Sequence, residues 1–126
     1  MKQFVFAAAT ALGLALATPG FAGEQYIDGT GYAVSGYDVV AYRSLAQQPV
    51  GSSQTEAVKG KASITAEYNG ATWAFASAEN RDMFLKDPDF YAPAYDGHCA
   101  YGVSKGGKVP GNPNLWRIVA ATLYLN

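Results

Sequence analysis

Asn69-Gly70 constrains this chain more tightly than any other dipeptide in it. A two-residue hairpin loop of type I′ needs positive φ at both central residues, and Asn-Gly meets that need best. Pairing outward from the turn sets Tyr68 against Ala71, Ala66 against Trp73 and Ile64 against Phe75, all on one face. The opposite face pairs Glu67 with Thr72 and Thr65 with Ala74. The spacing predicts an antiparallel hairpin over 64–75. Trp73 and Phe75 are its core anchors, each contributing about 2–3 kcal/mol when buried.

A helix is expected directly afterwards. Ser77 is placed to cap it, Glu79 lies in a first turn whose dipole favours an acid, and Pro88 ends it after Lys86 and Asp87. Met83 and Phe84 are expected to dock onto the hairpin, with Asn80 and Arg81 at the edge. Met83 is also a candidate thioether ligand for Cu(I).

Before the hairpin, residues 37–42 (YDVVAY) read as a strand or short turn. Asp38 reads as a capping carboxylate there, with a catalytic role as its rival. Residues 44–61 and 105–114 are polar or Gly/Pro-rich loops. At the C-terminus, a turn at Ala120-Ala121 would set Trp116 against Leu125 and Ile118 against Leu123, although Ala-Ala is poor type I′ chemistry. The elements add up to an α+β fold: a small single domain with an antiparallel hairpin packed on a short helix, plus a C-terminal hairpin.

The first residues have a different character. Lys2 precedes an apolar, uncharged run over 4–17, then Pro19, Gly20 and the small-x-small pattern Gly20-Phe21-Ala22. That layout is a secretory signal peptide over 1–22, and the run is short for a membrane span. The domain then occupies 23–126, with its core from about residue 36, in a periplasmic or secreted setting and with no membrane span after cleavage. Net charge is −1 and no basic run occurs, so the electrostatic footprint of a nucleic-acid binder is missing.

Export permits disulfides, but Cys99 is the only cysteine and cannot pair within one chain. It is therefore a buried small hydrophobe, a metal or redox ligand, or a thiol used between molecules. The only histidine, His98, is its neighbour. In an extended strand the two side chains point to opposite faces, whereas a turn at Gly97 would bring them together. Two donors fall short of the four in a structural zinc site, so a metal would also need Asp96, Met83, a backbone oxygen or a second copy. No catalytic triad, phosphate-cradling glycine motif or marked carboxylate pair accompanies them, and the chain reads as a non-enzyme.

Several stretches, taken together, resemble a known family. They are Gly36-Tyr37-Asp38-Val39-Val40-Ala41-Tyr42, Ala66-Glu67-Tyr68-Asn69-Gly70-Ala71-Thr72-Trp73, Phe75-Ala76-Ser77-Ala78-Glu79-Asn80-Arg81-Asp82, Gly97-His98-Cys99-Ala100-Tyr101 and Leu123-Tyr124-Leu125-Asn126. The chain is similar to the exported, single-domain YHS-domain proteins of bacteria. The resemblance implies a small fold of the YHS/TRASH type and an association with copper and other soft metals. Metal-linked members carry cysteines at positions matching Ala76 and Asn80, and neither residue here is a soft-metal ligand.

The expected function is thus a non-catalytic, copper-like soft-metal module using Cys99, His98 and Met83. The alternatives are a protein-interaction domain with a structural cysteine, or a thiol redox protein. The expected partner is a metal ion or a protein, and the oligomeric state stays open.

Overall fold

The computed structural model describes residues 24–126; the signal peptide expected over 1–22 lies outside them. β1 (Lys61–Tyr68) and β2 (Ala71–Phe75) form the antiparallel hairpin around Asn69 (φ 52°) and Gly70 (φ 76°). Four pairs follow the expected register: Tyr68–Ala71, Glu67–Thr72, Ala66–Trp73 and Thr65–Ala74.

The fifth does not. Phe75 faces Lys61 rather than Ile64, and residues 62–64 have no partner on β2. The cause lies just upstream, where the chain leading into β1 is tied to another segment. Gly60 donates to the Gly36 carbonyl at 2.8 Å, and Asp38 N–H donates to Val58 C=O at 2.7 Å. Gly60 also lies so close to β2 that a Cβ there would sit 2.3 Å from the Ala74 carbonyl carbon. This anchoring draws Lys61 opposite Phe75 and leaves the intervening residues as a bulge.

α1 (Ala78–Lys86) begins as expected, with Ser77 Oγ accepting Asn80 N–H at 3.1 Å, and is followed by the short helix α2 (Pro88–Tyr91). Phe84 is fully buried, its ring 4.9 Å from Trp73 and 5.2 Å from Phe75 between centroids. Met83 is not docked on the hairpin but 44 % exposed. Successive helical residues are separated by about 100°, so Phe84 and Met83 cannot both face a narrow seam. Asn80 moves the other way, inward rather than at the edge, to a contact with Asp38.

Residues 37–42 are not a strand. Tyr37 makes one bridge to Lys59, and a 3-10 turn occupies Ala41–Ser44. Val39, Val40 and Tyr42 are buried. Tyr42 reaches the C-terminal part, donating to Pro113 C=O at 2.7 Å and packing its ring 5.1 Å from Trp116.

There, after the short helix α3 (Ala100–Ser104), β3 (Trp116–Val119) pairs with β4 (Thr122–Leu125) in the expected register. The two hairpins form separate two-stranded sheets whose inner residues share one hydrophobic core. Among the described residues no helix is long and apolar enough to cross a membrane.

Candidate functional site

The segment before His98 is unusual in its backbone. Tyr95, Asp96 and Gly97 have φ of 58°, 56° and 85°, three consecutive residues in the left-handed region. Only the last is a glycine, so the kink is held by its surroundings. Tyr26 N–H donates to Asp96 C=O at 2.9 Å, and Gly111 N–H donates to Gly97 C=O at 3.2 Å.

His98 and Cys99 then run extended (φ −77°, ψ 160° and φ −61°, ψ 121°), which sends their side chains to opposite sides. The imidazole lies against the Tyr26 ring, 5.1 Å between centroids, and its Nδ1 is 3.0 Å from the Tyr95 carbonyl oxygen. A carbonyl only accepts, so Nδ1 carries the proton in this contact, and in the neutral ring the lone pair is on Nε2. The ring lines a pocket of about 200 Å³ with Tyr95, Asp96, Val103 and Lys108, a pocket Cys99 does not reach. Burial pushes the Asp96 carboxyl up, while His98 and Lys108 pull it partly back.

Cys99 is engaged elsewhere. Its sulfur accepts Gly102 N–H at 3.3 Å, capping α3, and its thiol donates to Asn126 Oδ1 at 3.6 Å. Asn126 Oδ1 also accepts Tyr101 N–H at 3.1 Å, so the Cys99 thiol and the first turn of α3 share one acceptor. Met83 stands on α1, exposed, in none of these contacts. The three candidate ligands are therefore not brought together. Among the described residues no group of three or more His, Cys, Asp or Glu side chains is arranged to hold a metal ion. As a resident, closed metal centre, these residues do not fit.

At positions 76 and 80 the donor set is of a different kind. Asp38 is 0 % exposed, and its Oδ2 accepts both Ala76 N–H and Asn80 Nδ2–H at 2.8 Å. Its Oδ1 accepts the N–H groups of Val40 at 2.9 Å and Ala41 at 3.1 Å. Four donors satisfy a buried carboxylate, and the junction of hairpin and helix is a hydrogen-bonded staple rather than a thiolate cluster.

A larger cleft, about 500 Å³, lies between Tyr68, Asp89, Tyr95, Asp96, Gln25 and Thr122. Tyr68 donates to Asp89 there. No local pattern could have announced this cleft, because its walls come from distant parts of the chain.

The YHS domain family matches residues 47–95. A YHS domain occupies that part of the chain. The matched span covers β1, β2, α1 and α2 and contains Met83, but it stops short of His98 and Cys99. YHS domains are generally associated with metal handling, copper included. No curated protein and no solved structure matches the chain.

Proposed function

We propose that the chain is an exported, non-catalytic interaction domain whose cysteine is structural. The observation that supports this best is the Cys99 thiol, whose donor and acceptor capacity is taken up by Asn126 and by the cap of α3. Asp38 is likewise committed to the fold. Phe90, Tyr95 and Tyr101 remain exposed, offering the aromatic side chains that protein partners favour. The leader pattern over 1–22 supports export.

Copper handling is the second reading, favoured by the YHS match and by the free Nε2 of His98. A Cu(I) titration of the reduced protein against a competing chelator separates the two. The interaction reading expects the same weak affinity in the wild type and in a Cys99→Ser/His98→Ala double variant. A loss of about tenfold or more in the double variant overturns it in favour of the metal.

A further inference from the structure

The strand edges of the two hairpins are finished differently. On β3, Gln47 Oε1 accepts Ile118 N–H at 2.6 Å and Gln47 Nε2 donates to Ile118 C=O at 3.2 Å, a side-chain amide standing where a strand would pair. β4 is flanked by Cys99, which bridges Leu125. β2 is flanked by Ala33, whose N–H donates to Thr72 C=O at 2.9 Å. The backbone of the outer edge of β1 over 61–67 receives no hydrogen bond from any described residue beyond β2. Residues 62–64 lack a partner on β2 as well. An unpaired edge is a template for another strand, which on pairing here would have to straighten the bulge at 62–64.

The sequence of that edge says which strand fits. Lys61-Ala62-Ser63-Ile64-Thr65-Ala66-Glu67 is close to a palindrome with its charges exchanged. An antiparallel pair with its two-fold axis at Ile64 sets each Lys61 against Glu67 of the second copy. It sets Ala62 against Ala66, Ser63 against Thr65, and Ile64 against itself. Moving the axis to Thr65 leaves both charges opposite neutral side chains. Moving it to Ser63 leaves Lys61 opposite Thr65 and sets Glu67 against Lys59, which is already bridged to Tyr37, so only the register on Ile64 pairs Lys61 with Glu67. Lys61 and Glu67 are both exposed and form no ion pair among the described residues, although Glu67 Oε2 accepts the Thr72 hydroxyl at 2.6 Å.

We propose that two copies associate edge to edge through β1, in the register centred on Ile64, joining two β1–β2 hairpins into one four-stranded sheet. The interface is isologous, as a two-fold dimer requires. It shares no residue with the His98–Cys99 segment and stands independently of the function proposed above.

Sedimentation of the purified protein over a concentration series tests it. A monomer–dimer equilibrium weakened by salt is expected. Lys61→Glu and Glu67→Lys, each placing like charges opposite one another twice per dimer, should each weaken it roughly tenfold. The double charge swap should restore it to within about threefold of the wild type. A monomer at every concentration overturns the proposal. So does a dimer indifferent to the single reversals, or one the double swap fails to rescue. Far-UV and near-UV circular dichroism of each variant verifies that the exposed substitutions leave the fold intact.

Discussion

The two hairpins have nearly the same turn built from different residues. In the first, Asn69 and Gly70 occupy φ of 52° and 76°; in the second, Ala120 and Ala121 occupy 50° and 71°. Asn and Gly accept that backbone readily, whereas alanine in the left-handed region costs about 1 kcal/mol or more per residue. The first turn is therefore written into its own residues and the second is imposed from outside. Arg43 shows how: Nη1 donates to Ala121 C=O at 2.8 Å, Nη2 donates to Phe90 C=O at 2.7 Å, and the guanidinium stacks 4.3 Å from the Phe90 ring centroid. Gln47 along β3 and Tyr42 against Trp116 add to the same hold. A turn with poor local chemistry can persist where long-range contacts over-determine it.

The largest effects should come from the anchors that tie each hairpin to the rest. Asp38→Ala leaves the N–H groups of Val40, Ala41 and Ala76 and the Asn80 amide without the buried acceptor they converge on. A loss of about 3 kcal/mol or more in urea unfolding is expected. Arg43→Ala removes an exposed-side clamp and should cost less, about 1–2 kcal/mol. If Arg43→Ala proved the more damaging, the second hairpin would be the keystone of the fold and the ranking of the two would reverse.

Smaller, but sharper in sign, is the exchange of turn residues. Gly70→Ala puts a Cβ on a residue at φ 76° and should destabilise by about 1 kcal/mol. Ala121→Gly relieves the same conformation at φ 71° and should stabilise by about 0.5–1 kcal/mol, offset slightly by the freer unfolded chain. Thermal melts of the two variants would move in opposite directions. Two shifts of the same sign would mean that the Ala-Ala turn carries no strain.

The difference between the hairpins also explains what could be read from the residues alone. The Asn-Gly turn, the Ser77 cap and the alternation around Trp73 are local signals that agree with the final packing, so the hairpin–helix unit was legible. The second hairpin was legible in register because Trp116, Ile118, Leu123 and Leu125 alternate, despite the wrong turn residues. The bulge at 62–64 was not, since it comes from contacts between Gly60 and residues 36 and 74. α3 escaped notice because its cap is a cysteine, a residue outside the usual capping set. The candidate site was legible as a pair of neighbours, and its failure to converge follows from the extended backbone at 98–99.

The smallest expected effect is one of pH, and it separates the hairpins by their tyrosines. Burial, then the hydrogen bond to Asp89 and the charges of Asp89 and Asp87, push the Tyr68 phenol up to about 12. In the unfolded chain a tyrosine titrates near about 10. The folded state thus holds this proton more tightly, and the resulting stability is whole below pH of about 10 and is lost as pH rises through about 12. Tyr42, which braces the second hairpin, is raised further still, by burial first and then by the charges of Tyr37 and Asp38. Tyr68→Phe should therefore flatten the alkaline fall in stability by no more than one proton's share and leave the remainder to Tyr42. Urea midpoints taken at steps through this range, with tyrosinate absorbance followed in parallel, measure that slope. An unchanged slope in Tyr68→Phe would place the whole alkaline weakness on the side of the second hairpin, where the strained turn already is.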